Sequence, residues 1–168
     1  MTLRAVFPIL ALLALTTLSA CGFRPLYATA GDDYNTAANM AQVKVAVIND
    51  RVGQLTRNAL IETLTPRGQS ATPLYDLKVT LSESTSEQGF TKENEATIAD
   101  YLINAKYELV RRADTKVLRK GSVRARTSYN IVDSEFATIE AEDAARGDAA
   151  RNLAQQLANQ VAIGLRSQ

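Results

Sequence analysis

Few side chains in this sequence could do chemistry, and they are unevenly placed. There is no histidine and only one cysteine, Cys21, in 168 residues. Most zinc sites, thiol nucleophiles and Ser/His/Asp relays need one of those residue types, so the sequence lacks the means for them. A disulfide within the chain is impossible for the same reason. The carboxylates of Glu93, Glu95 and Asp100 lie close enough in sequence to suggest the acid–base pair of a glycan hydrolase. Carboxylates in a polar stretch are more often solvated charge, which is the weightier reading. Arg124 and Arg126 stand on one side of an alternating run, and their planar guanidinium forks suit phosphate.

Cys21 gains its meaning from what precedes it. Met1 to Arg4 is short and weakly positive, and Ala5 to Leu15 is almost unbroken in its apolarity, which is the layout of an export signal over residues 1–20. From Ala5 to Ala20 there are 16 residues, fewer than the roughly 20 needed to cross a hydrocarbon core, and Thr16 and Thr17 interrupt the end. A retained transmembrane anchor is therefore disfavoured, and so is simple secretion with a free thiol. Leu18-Ser19-Ala20-Cys21 resembles the bacterial lipobox, whose cysteine is acylated as the signal is removed. One fatty chain holds a protein at a bilayer only marginally, at about 0.8 kcal/mol per buried methylene. The resemblance implies three chains on Cys21, an anchor permanent in practice.

Removing the first 20 of 168 residues leaves 148, enough for one domain with a real core. Only Arg4 is lost from the charge count, so 18 of the 19 Lys and Arg remain against 18 Asp and Glu. That balance gives no bulk attraction for nucleic acid.

The elements that must position these groups follow from periodicity. Residues 21–42 read as a lipidated N-terminus and tether, because Ala28 to Gln42 shows neither the helical nor the strand period. A single domain is expected over 43–168. Val43, Val45 and Val47 predict a strand, and Asn49-Asp50 offers a cap for a helix over 52–64 with Val52, Leu55, Ala59, Leu60 and Leu64 on one side. Thr65-Pro66-Arg67-Gly68 closes that helix. Tyr75, Leu77, Val79 and Leu81 alternate with Asp76, Lys78, Thr80 and Ser82. Glu83 to Glu95 is polar and contains Gly89, which predicts a long hairpin loop. Two further strands put Tyr101, Ile103, Ala105, Tyr107 and Leu109, then Val123, Ala125, Thr127 and Tyr129, on the dry side. Nine alanines between Ala137 and Ala162, without proline, predict one long helix begun near Asp133-Ser134, with Gly147 a possible bend. The order β-α-β-β-β-α points to an α+β two-layer sandwich: a four-stranded mixed sheet with two amphipathic helices on one face. Lys44, Lys78, Lys106, Glu108 and Lys120 join Arg124 and Arg126 on the wet side.

Cys21-Gly22-Phe23-Arg24-Pro25-Leu26-Tyr27 resembles the start of mature lipopolysaccharide-assembly lipoproteins of the LptE type, and the order of elements behind it is similar to theirs. The resemblance implies an outer-membrane lipoprotein facing the periplasm. It would plug the β-barrel partner LptD, support its assembly and aid insertion of lipopolysaccharide into the outer leaflet. It implies no catalysis and no cofactor beyond the lipid on Cys21. Family members are thought to meet lipopolysaccharide through basic residues after the second strand and before the last helix. Lys92 matches the first region. The second presents Glu135 and Glu140 instead of a lysine, so Arg124 and Arg126 are the remaining candidates. A lipoprotein serving another partner or a small apolar ligand is the competing expectation.

Overall fold

Alternation along the chain becomes a sheet with two unlike faces. The computed structural model describes residues 32–90 and 96–166. These form helix α1 (Asp32–Met40), strand β1 (Val43–Val45), helix α2 (Asp50–Leu64), strands β2 (Tyr75–Phe90), β3 (Ala96–Arg111) and β4 (Val117–Asn130), and helix α3 (Glu135–Arg166). The sheet order is β1-β2-β3-β4, with β1 parallel to β2 and the other neighbours antiparallel. This is the expected α+β architecture with a four-stranded mixed sheet. Cys21, Lys92, Glu93 and Glu95 lie outside the described residues.

One face of the sheet is dry. Leu77, Ile103 and Leu109 from the strands meet Leu60 of α2 and Leu153 and Leu157 of α3, all fully buried in one cluster. Each such side chain contributes roughly 1.5–3 kcal/mol on leaving water. The stripe expected on α3, Ala150, Leu153, Ala154, Leu157, Val161 and Leu165, is buried throughout. Small residues widen it and let the helix lie close to the sheet: a Cβ on Gly164 would stand 2.9 Å from the Cβ of Arg119 on β4. The helix runs unbroken through Gly147 for 32 residues. At 1.5 Å per residue that is about 48 Å. Ser134 starts it, accepting a hydrogen bond from the backbone N–H of Ala137 at 3.4 Å.

Several local expectations give way; the first strand ends at Val45, and Val47, expected on it, is 80% exposed. Residues 32–40, read as part of a periodless tether, form α1, with Thr36 and Met40 buried. Its buried positions among the described residues are Thr36 and Met40, one of them polar, so no apolar stripe marks the covered face in the sequence. The stretch from Glu83 to Phe90, read as loop, is the second half of β2, paired residue by residue with β3 from Glu83↔Ile103 to Gln88↔Ile98. Backbone hydrogen bonds to a long neighbour hold it, and such a ladder needs no apolar alternation. On α2 the buried set is Val52, Gly53, Thr56, Leu60 and Leu64, whereas Leu55 and Ala59 are half-buried. Asn49 holds the N-cap position with extended backbone, but its side chain makes no capping hydrogen bond.

The turn from β1 into α2 explains Gly53. A Cβ there would sit 2.8 Å from Ile48 Cγ2 and 2.9 Å from the Ile48 carbonyl carbon and oxygen, so backbone would have to move. Alanine in a helix gains about 1 kcal/mol over glycine, while overpacking costs about 1–3 kcal/mol. Because the clash is with backbone, the second effect wins. Gly53→Ala is expected to lower unfolding stability by about 1–2 kcal/mol in urea titration, whereas propensity alone would raise it.

Candidate functional site

Among the described residues no helix covers the second sheet face, and its side chains fall in register across three strands. Lys78, Glu108 and Lys120 form one row, Thr80, Lys106 and Ser122 the next, then Ser82, Asn104 and Arg124, then Ser84, Leu102 and Arg126, then Ser86, Asp100 and Ser128. Residues at alternate positions of a strand share a face, so the rows make one continuous surface. Along these rows it is polar apart from half-buried Leu102, and it is bounded by exposed Ile98 beyond Asp100 and half-buried Val110 beyond Glu108.

Two shallow depressions lie on this surface. One of about 460 Å³ is lined by Ser84, Ser86, Gln88, Asp100, Leu102, Arg124 and Arg126. The other, of about 760 Å³, is lined by Lys78, Thr80, Lys106, Tyr107, Glu108, Lys120, Gly121 and Ser122. A third hollow, of about 370 Å³ and mostly apolar in its walls, sits between α1 and the end of α2 beside Leu64 and Pro66.

The two candidate arginines are brought together, both exposed, on alternate positions of β4. They are not equivalent. Arg126 pairs with Asp100, and Ser128 donates a hydrogen bond to the same carboxylate at 2.6 Å. The Ser128 hydroxyl and then the Arg126 guanidinium hold the Asp100 carboxyl below its usual range. A carboxyl held ionised by a serine and an arginine is poorly suited to donate a proton, so its environment argues against the hydrolase acid considered for it. Arg124 has no ion pair among the described residues, nor do Lys44, Lys78, Lys106 and Lys120. They are the available cations of the face.

The covered face holds a polar cluster of its own beneath α3. The Tyr101 hydroxyl donates to Glu83, and burial, with that carboxylate beside it, pushes the phenol up to about 12. Arg146 lies over the Tyr101 ring at 5.3 Å and reaches Glu83 at 3.8 Å and Glu142 at 2.7 Å. Further along, Gln160 accepts from Tyr107 at 3.1 Å and from Arg119 at 2.7 Å, locking helix to sheet. Neither the Asp100 group nor the Arg146 group is visible without strand register. Once Asp100 is set opposite Ser128, the diagonal to Arg126 follows.

Among the described residues no set of three or more His, Cys, Asp and Glu side chains could hold a metal ion. No helix among them is long and apolar enough to cross a membrane.

Comparison with known proteins adds the following. The lipopolysaccharide-assembly family LptE matches residues 40–161. No curated protein matches the chain. A Caulobacter crescentus CB15 chain, provisionally named a lipoprotein, superposes with a TM-score of 0.66 at 21% identity, covering 82% of this chain and 100% of its own. A minor lipoprotein from Acinetobacter baumannii gives 0.56 at 17% identity over 73% of this chain and 92% of its own. The rare lipoprotein B of Shewanella oneidensis gives 0.50 at 9% identity over 74% and 93%. At these identities the solved structures support the fold.

Asp100 gives a pH test. Its carboxyl is held low in the folded state, so its contribution is present above the unfolded ionisation range and is lost as pH falls through the folded value. Asp100→Asn should therefore flatten the loss of stability on acidification from about pH 5 towards pH 2. Urea midpoints measured across that range would show the two curves converging at the acid end.

Proposed function

This chain belongs to the LptE family of lipopolysaccharide-assembly lipoproteins, and on that premise we propose that it is a lipid-anchored component of the outer-membrane lipopolysaccharide translocon whose open sheet face meets the barrel partner LptD. The family is non-enzymatic, and no catalytic step is assigned to this chain. In this reading Cys21 carries the lipid, the protein stands on the periplasmic side of the outer membrane, and the folded domain fills the barrel and supports its assembly. Lipopolysaccharide entering the outer leaflet passes beside it.

The observation that supports this reading best is the uncovered polar face. Large outer-membrane barrels have a polar, lumen-facing wall and can hold a plug. A plug must be wet where it meets that wall and dry inside, and this sheet divides its residues that way. Arg124, exposed and without an ion pair among the described residues, is the side chain best suited to a phosphate of lipopolysaccharide or an acidic group of the barrel. Arg126 is a weaker candidate because Asp100 already occupies it. Lys92 stays a candidate contact outside the described residues.

Two variants separate anchoring from contact. Cys21→Ser should abolish acylation by mass measurement and release the protein from membranes, while its thermal transition stays unchanged. Arg124→Glu should weaken lipopolysaccharide binding or recovery of the native barrel complex about tenfold, roughly 1.4 kcal/mol. Its melting temperature should move little, since the guanidinium makes no ion pair among the described residues. Undiminished recovery of both barrel and lipopolysaccharide would remove Arg124 from the interface, and a native complex without a barrel protein would overturn the translocon reading itself.

A further inference from the structure

The sheet has one guarded edge and one open one. On β4 the edge carries Arg119, Lys120, Arg124 and Arg126, and α3 reaches over it, with Gln156 donating to the Arg124 carbonyl at 3.0 Å. Lysine, arginine and overlying helices are the usual means of stopping a strand edge from pairing with another chain. At the other edge, β1 covers β2 only from Tyr75 to Leu77, ending with the Ala46 N–H donating to the Leu77 carbonyl at 3.0 Å. Beyond that point β2 runs on to Phe90, and among the described residues no strand or helix lies against its outer side.

The geometry of that edge is specific. The N–H and C=O of one strand residue point to the same side, and successive residues alternate. With the Leu77 carbonyl facing outward, so do the backbone groups of Val79, Leu81, Glu83, Thr85 and Glu87. They span about 27 Å at 3.4 Å per residue. This stretch has no proline, no lysine and no break in register with β3 before Gly89. Residues 82–87 are exposed.

We propose that the outer edge of β2 from Val79 to Glu87 is a strand-addition site for an extended segment of a partner protein that carries lysine or arginine at positions facing Glu83 and Glu87. Charge decides the occupant. Glu83 and Glu87 lie four residues apart on one side of the strand; Glu87 makes no ion pair among the described residues, and Glu83, which accepts from Tyr101 and lies 3.8 Å from Arg146, keeps 45% of its side chain exposed. Opposite charges across a ladder stabilise it and like charges opposite one another do the reverse. A second copy would bring its own Glu83 and Glu87 to the same strip, and pairing about Thr85 would set each directly against the other. Main-chain hydrogen bonds would supply affinity and the two carboxylates would select the partner. This inference stands apart from the barrel reading and does not need it.

The test uses the full lipidated chain in detergent micelles and a synthetic nine-residue peptide of alternating valine and threonine with lysines four residues apart. Amide hydrogen exchange at Val79, Leu81, Glu83, Thr85 and Glu87 should slow at least tenfold on saturation with the peptide. A peptide with glutamates in place of the lysines should bind at least tenfold more weakly. Methylating the peptide nitrogens on the side that faces β2 should abolish binding, and methylating the intervening set should not. Glu87→Lys should weaken the lysine peptide and strengthen the glutamate one. Four results would each overturn the proposal: amides already protected in the free chain, slowing that grows with protein concentration without peptide, equal binding of both peptides, or no dependence on which nitrogens are methylated.

Discussion

The structure depends on a sheet that can be dry on one side only. Alternate residues of β2, β3 and β4 commit Leu77, Ile103 and Leu109 to one face and Lys78, Lys106 and Lys120 to the other, and a strand cannot change that assignment without slipping register. Helices α2 and α3 supply the apolar cover for the first face. The chain supplies no cover for the second among the described residues. Two properties follow from that asymmetry: a core covered by the chain's own helices and a polar face left open among the described residues.

The long helix makes the arrangement unequal along its length. From Ala145 to Leu165 the α3 stripe is buried, and Gly164 and the alanines keep it against β3 and β4. None of its first ten residues is fully buried, and Phe136 and Ile139 are 73% and 51% exposed. Beneath the middle of the helix, Arg146, Tyr101 and Glu83 replace apolar packing with charge and a phenol whose proton is firmly held. The core is thus concentrated at the end where β1, α2 and the last turns of α3 converge. The opposite end is held by the three-stranded ladder and polar contacts.

How much of this could be read beforehand divides along physical lines. Strands with an apolar alternation, such as Tyr101 to Leu109, and the Leu153-Leu157-Val161 stripe announced themselves because burial and period coincide there. The second half of β2 did not, since Ser82 to Gln88 holds strand geometry chiefly through backbone pairing with β3 and carries no apolar alternation. Helix α1 was hidden because among its described residues it buries only Thr36 and Met40, one of them polar, and two such positions do not announce a period. On the open surface, Arg124 and Arg126 were rightly placed together, but the tie from Arg126 to Asp100 needed cross-strand register that spacing along one strand does not contain. That tie makes two neighbouring arginines unequal, which composition could not foretell.

The central claim, that the uncovered face is where this lipoprotein meets its barrel, is tested most directly by photo-crosslinking in intact cells. A photoreactive residue at Ser122, in the middle of that face, is compared with one at Ser70 in the turn after α2. The account predicts an adduct between position 122 and the outer-membrane barrel protein LptD, stronger than any formed from position 70. A barrel adduct from position 70 with none from position 122 would contradict it.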